Sequence, residues 1–319
     1  MFRRSFSYFS IVLALLIIFY SAVKFLSYEI IASLLTIKYF FGFFLFYLIF
    51  VFRSDLTVNF VRLGFLISAI TLVEALLVNS IIPREIWLHF PKDEFGEIGH
   101  KGLFWGIYQR PYGVGTNASV TSALIVVLIA LGDSQIINRK KNFLEFWLPV
   151  LAVLVSLSGS GILLLAAYYC LNYKRVSLAL SCVVLIPTLL ILSEANIQYS
   201  LFEKISLQYI LYLIDYKTVQ ISDLFNMSNA HSIIFGLSWS HTEPMPLGGD
   251  FGFLNAYNYG GAFVIMVYTA LCAYVFLKGR FSMPLTILLL SGIHYFVLFT
   301  LLGQLLFGYI LYHSFKKGI

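Results

Sequence analysis

The chain is short of charge. Asp, Glu, Lys and Arg make up 11% of its 319 residues, against roughly 25% in an ordinary soluble domain. So little charge cannot cover a water-facing surface, which excludes a soluble globular enzyme. Disorder is excluded as well, because 60% of the residues are hydrophobic and such a chain buries itself readily. Cysteine is scarce. Cys170, Cys182 and Cys272 all lie inside apolar runs, with no CxxC or metal-ligand spacing, so neither a disulfide scaffold nor a zinc site is indicated. With 22 Gly and 8 Pro a collagen-like repeat is excluded. Also missing are a GxxxxGK[ST] run and a GxGxxG between a strand and a helix, which argues against a nucleotide-driven machine.

What is present is long apolar sequence. Ile11–Tyr20, Tyr39–Phe52 and Leu285–Leu290 are apolar without alternation, the pattern of membrane helices rather than of barrel strands. The expected fold is all-α: a polytopic membrane helix bundle in a single integral domain, 1–319. Spans are predicted at about 5–27, 29–52, 60–82, 117–137, 142–158, 159–174, 176–193, 251–277, 281–297 and 299–315. Residues 1–30 have a basic start but no small-residue cleavage site, so they are read as a retained first span. Ten spans put both termini on one side, and the basic residues agree. Of the 21 Lys and Arg, 13 fall in short segments on that side, among them Arg3, Arg4, Arg139, Lys140, Lys141, Lys316 and Lys317. Cytoplasmic loops carry this bias, so the net charge of +6 is a topology signal and not a nucleic-acid footprint.

Two long connections, about 83–116 and 194–250, fall on the outer side. Loops of this length are usually functional or disordered, and these are rich in aromatics. Phe202, Ile205, Tyr209, Leu213 and Tyr216 recur at helical spacing, as in an amphipathic helix lying in the outer interface. Most acidic residues and histidines also sit in these loops. Chemistry, if there is any, belongs to the outer face.

Two segments carry candidate chemistry. Arg110-Pro-Tyr-Gly-Val-Gly-Thr-Asn117 leads into the fourth span. Its Arg offers a permanent charge and a planar fork of donors suited to phosphate oxygens, its glycines let a ligand come close, and Asn117 is placed to cap the span. A turn whose Arg meets lipid headgroups fits the same residues. The second segment runs from Phe235 to Gly261, with His231 just upstream, and contains His241, Glu243 and Asp250 at the mouth of the eighth span. Ionisable residues there are functional candidates; a helix-capping Asp250 and solvated histidines are the plainer alternative. His89, Lys92, Asp93, Glu94, Glu97 and His100 match no metal pattern and read as a solvated loop. Within the spans, Glu74 is expected inside the bundle, paired with a basic residue or part of a proton path, and Lys24 and Lys38 to snorkel or pair internally. His294 and Gln304 are further intramembrane polar groups. The Ser156–Gly161 stretch is expected to make a tight turn or a close helix approach.

The order of short motifs is similar to a known family. An Arg-x-x-Gly segment (Arg110–Gly113) precedes a helix, and a Ser-x-Ser-Gly turn (Ser156–Gly159) joins two short spans. A large outer loop then ends in Phe235-Gly-Leu237, followed by Asp250-x-Gly-Phe-Leu254 and Gly260-Gly261. Over roughly 29–310 this resembles the Wzy-type O-antigen polymerases and the related ligases, bacterial inner-membrane glycosyltransferases with GT-C-like folds. Asp250 stands where the ligases carry a His, which favours the polymerase. Residues 194–250 lack the second Arg usual in that loop, so Lys217, His231 or His241 would substitute for it.

The resemblance implies transfer of a growing glycan from one undecaprenyl-diphosphate carrier to a second repeat unit at the periplasmic face, with both termini cytoplasmic. Arg110 would stabilise the leaving diphosphate, and Asp250 or His241 would orient or deprotonate the acceptor. Lys101, Tyr112, Asn117, Lys217, His231 and Glu243 would contact substrate. No metal or cofactor is required, since the donor already carries the activated bond. The implied partners are the undecaprenyl-diphosphate-linked glycan, membrane lipid and a chain-length regulator protein, with no nucleic acid. The alternatives are a transporter or flippase of a lipid-linked glycan, an O-antigen ligase, or a non-catalytic assembly protein.

Overall fold

The computed structural model describes residues 8–81, 110–115, 117–135, 143–173, 211, 215, 218, 230–237, 252–279, 281–293, 295 and 297–315. All regular structure among these residues is helical. The helices are α1 (Tyr8–Ser27), α2 (Ile30–Phe52), α3 (Phe60–Ser80), α4 (Ala118–Gln135), α5 (Phe143–Val155), α6 (Gly159–Tyr173), α7 (Ala230–Phe235), α8 (Gly252–Lys278), α9 (Ser282–Ser291) and α10 (Leu301–Phe315). Five of them, α1 to α4 and α8, are long and apolar enough to cross a membrane, as in a multi-pass membrane protein. The other apolar helices, α5, α6, α9 and α10, are shorter.

Except for 176–193, which lies outside the described residues, each predicted span contains a helix. One of them ends early. The span predicted over 281–297 stops at Ser291, because Gly292 N–H and Ile293 N–H bond back to Leu289 O (2.9 Å) and Leu290 O (3.2 Å). Such i→i+3 bonds tighten a last turn and close the helix. Of the expected amphipathic segment, Leu211, Asp215 and Thr218 are described; all three are helical and exposed.

The chain gathers into two compact units. One holds α1, α2, α7, α8 and α10, and its core is aromatic. Phe43 meets Tyr268 and Phe307 edge-on at 5.4 and 5.1 Å, and Tyr268 stacks on Phe307 at 5.4 Å. Two of its buried polar side chains are satisfied by backbone: Tyr268 Oη donates to Phe40 O at 2.7 Å, and Gln304 Nε2 donates to Lys38 O, Tyr39 O and Phe299 O. A buried amide in a membrane helix must find such partners. Lys38 itself is exposed, with its ammonium 5.7 Å from the Tyr39 ring centroid, as a snorkelling lysine would be.

The other unit holds α3 to α6 and α9. Here α4 is central, packed by all four of the others and buried over 83% of its most apolar stretch. Its faces are small and aliphatic, so helices approach closely: Gly64 lies against Leu128, Gly132 against Val61 and Gly161 against Ser122. Close van der Waals contact of this kind holds helices together where both lipid and protein are apolar. Gln135 ties the end of α4 to the start of α3, accepting from Phe60 N–H (3.1 Å) and donating to Val58 O (2.7 Å). Asn59 caps α3 by accepting from Arg62 N–H at 3.0 Å.

Candidate functional site

The Arg110–Asn117 segment is built into the α4 unit by four anchors. Asn117 Oδ1 accepts from Ser119 N–H at 2.7 Å and Asn117 O accepts from Thr121 N–H at 2.9 Å, so Asn117 starts α4 as its sequence position suggested. Thr121, one turn on, reaches back with its hydroxyl, donating to Tyr112 O and accepting from Gly115 N–H at 2.9 Å. Glu74, in α3, places one carboxylate oxygen 2.7 Å from Tyr112 N and the other 2.7 Å from Gly113 N. Finally, Arg110 Nε donates to Ser156 O at 3.0 Å.

These anchors explain the local sequence. Two successive N–H groups that converge on one anion form a nest, and Gly113, at φ 61°, supplies the left-handed backbone that the turn needs. Hydrogen bonds to a charged acceptor contribute about 1.5–3 kcal/mol each, so Glu74 is the strongest of the fixings. The sequence led to a basic partner or a proton path for Glu74; its partners among the described residues are instead the two backbone amides. That pairing spans 38 residues and no residue pattern announces it.

The Ser156–Gly161 stretch supplies the rest of the site. Leu157 turns the chain with φ 46°, a conformation that costs a bulky residue about 1–3 kcal/mol and persists only when its surroundings enforce it. Ser158 Oγ then donates to Ser119 Oγ at 3.0 Å, lies 3.1 Å from Ser160 Oγ, and accepts from Gly161 N–H. Both the tight turn and the close approach expected of this segment are present, the latter where Gly161 lies on Ser122. A cavity of about 250 Å³ opens beside these hydroxyls. Ser119 and Ser160 line it, together with Ser291, Tyr295 and apolar residues such as Leu163 and Leu164. The cavity is therefore apolar along its walls and polar where it meets the serines. The sequence pointed to this stretch as a turn, not as a cavity wall.

The α8 unit contains a second polar cluster. Lys24 is fully buried and donates from Nζ to three carbonyls, Gly236 O (3.1 Å), Leu237 O (2.9 Å) and Tyr259 O (3.1 Å). The Tyr28 hydroxyl also donates to Gly236 O, at 2.9 Å, and partial burial raises the Tyr28 phenol above its ordinary range. These carbonyls converge because two backbones cross. Gly261 breaks α8 with φ 72° and ψ −180°, Gly236 has φ 75°, and a Cβ on either would overlap the other strand's backbone. Lys24 thus pairs internally, with carbonyls as its partners. His231 Nε2 lies 3.0 Å from Ser27 Oγ at the exposed edge of this cluster.

Of the candidate residues, Arg110, Tyr112 and Asn117 come together in one segment, while His231 lies in the other unit. Lys101, Lys217, His241, Glu243 and Asp250 lie outside the described residues, as do His294 and the loop acids between 89 and 100. Among the described residues no three His, Cys, Asp or Glu side chains gather as a metal site requires. Comparison with known proteins returns no matching family model, no matching curated protein and no matching solved structure.

Proposed function

We propose that this chain is a membrane glycosyltransferase that polymerises undecaprenyl-diphosphate-linked repeat units into O-antigen or a related surface polysaccharide. In this proposal the bundle has ten spans and a GT-C-like arrangement, sits in the bacterial inner membrane with cytoplasmic termini, and works at the periplasmic face. The observation that carries it is Arg110, a permanent cation on a loop fixed by Glu74, Thr121 and Ser156, in the same unit as a cavity with apolar walls and a serine end. A substrate with an anionic head and a long apolar tail needs both features.

The chemistry is a single substitution. The acceptor hydroxyl oxygen attacks the anomeric carbon of the donor, a new C–O bond forms, and the bond to the diphosphate oxygen breaks. The leaving group departs with its electron pair as undecaprenyl diphosphate, and the hydroxyl proton passes to a base. Charge develops on the diphosphate, where a preorganised cation contributes most; Arg110 takes that role. Asp250 or His241 takes the proton or orients the hydroxyl. Tyr112, Asn117, Lys101, Lys217, His231 and Glu243 complete the substrate contacts, and a chain-length regulator protein is the partner expected in the membrane.

The test is purified protein with a synthetic undecaprenyl-diphosphate repeat unit. Ladder products that disappear in Arg110→Ala and persist in Lys92→Ala support the proposal. No ladder from the wild-type chain with the matched unit overturns it.

A second reading, movement of a lipid-linked glycan across the membrane, draws on the break in α8. Transporters use discontinuous helices whose carbonyls meet cations, and here Tyr259 O meets Lys24. Substrate appearing on the far side of sealed liposomes, with no elongation, would select this reading.

A further inference from the structure

A carboxylate inside a membrane-length helix needs a reason to be there, and Glu74 has no role yet in the chemistry above. Its two oxygens each accept one N–H, from the adjacent residues Tyr112 and Gly113, both at 2.7 Å. Arg110 lies two residues from the first of these. The same loop is also held by Thr121 and Asn117, and Arg110 donates from Nε to Ser156 O. Nests of this type bind free anions in many proteins. This one is already filled, by an anion tethered to α3.

From this geometry we propose that Glu74 is the positioning residue for Arg110. It occupies the amide nest at Tyr112 and Gly113, fixes where the guanidinium stands, and closes the nest to the substrate diphosphate, leaving that anion to Arg110. The inference rests on the glycosyltransferase reading for the identity of the anion; the placement of the loop by Glu74 does not depend on it. Glu74 touches no reacting atom and acts only through the loop.

The experiment has two arms on the full-length chain in detergent or nanodiscs. In the first, hydrogen exchange is followed at the amides of Tyr112 and Gly113. Wild-type protein protects both, and Glu74→Gln speeds their exchange by about tenfold or more, the effect of losing a charged acceptor, while the amides of α4 are unchanged. Formate added to Glu74→Ala restores the protection, because it refills the nest. If Glu74→Gln does not fold, the wild-type chain decides the matter, since exchange there at free-peptide rates overturns the proposal. Unchanged exchange in a folded Glu74→Gln overturns it too.

In the second arm, undecaprenyl diphosphate is the probe, and its affinity is measured for wild type, Glu74→Gln, Arg110→Ala and the double variant. A residue that acts through Arg110 gives a non-additive cycle, with the double variant binding no more weakly than Arg110→Ala. Additive losses overturn the positioning role. Absence of binding by the wild-type chain counts against the glycosyltransferase reading alone, and the exchange arm still decides the role of Glu74.

Discussion

The two units satisfy an ionisable side chain with backbone groups in opposite ways. In the α8 unit the buried ion is a cation, Lys24, and its partners are carbonyls that a broken helix and a neighbouring turn present. In the α4 unit the ion is a half-buried acid, Glu74, and its partners are amides of the turn at Tyr112 and Gly113. Neither is paired with an opposite charge among the described residues; the one ion pair described, Arg53 with Asp55, is exposed. The surroundings differ to match. Large rings fill the first core, whereas the second packs around the aliphatic α4, with glycines at its close contacts. Irregular backbone near membrane depth is stable when something satisfies its N–H and C=O groups, and here one side chain of the right sign does so in each unit.

The contrast can be broken at four places. Lys24→Met should have the largest effect. It removes three hydrogen bonds from a charged donor. Gly236 O and Tyr259 O keep tyrosine hydroxyls, from Tyr28 and Tyr20, while Leu237 O loses its ammonium donor, so a loss on the order of 3 kcal/mol should show as a lower unfolding midpoint in detergent. A wild-type midpoint would mean that the tyrosine hydroxyls alone hold the crossing. Glu74→Gln should cost less, about 1.5–3 kcal/mol, because the amides it releases belong to a loop that water can reach. If it proves the more damaging of the two, the loop rather than the helix crossing is the keystone.

Third comes the small-residue packing. Gly161→Ala places a methyl on Ser122 and should destabilise by about 1–3 kcal/mol. Gly159→Ala meets nothing within 4 Å and should be neutral or better. Equal midpoints for these variants would sink the account of close approach in the α4 unit. The smallest effect belongs to Arg53→Ala. The hydrogen bond and charge of the Arg53 guanidinium hold the Asp55 carboxyl below the usual carboxylate range, so any stability from the pair is present above that range and fades as pH falls through the lower folded-state value. Both groups are exposed and screened, so no change in midpoint at neutral pH is expected; a clear drop would show that this surface pair does more than its exposure allows.

How much of this was legible depends on how far apart the partners are in the chain. Uniform apolarity gave away α1, α2, α3, α4 and α8 to within a few residues. Asn117 as a cap was also legible, since its partner Ser119 is two residues on. The end of α9 at Ser291 was not, because an apolar run continues past it and only the i→i+3 bonds at Gly292 show the stop. Gly260-Gly261 stood out as a motif, but not as a break in a helix. Lys24 and Glu74 stood out as polar residues in apolar surroundings; the sequence led to snorkelling or internal pairing for Lys24 and to a basic partner or a proton path for Glu74. The partners are backbone groups 38 residues away for Glu74 and more than 200 for Lys24, and a peptide group has no residue-specific signature.

The sequence alone therefore determined the environment and the element type. With 11% charge and long apolar runs, the backbone has to satisfy itself by helix formation in a medium that offers no hydrogen bonds. Tertiary structure decided where the few ions go. Which carbonyls surround Lys24, which amides Glu74 fills and which hydroxyls line the cavity follow from helices and turns brought together across the chain. Those contacts are set by packing in three dimensions, and the one-dimensional order of residues carries only the demand for them.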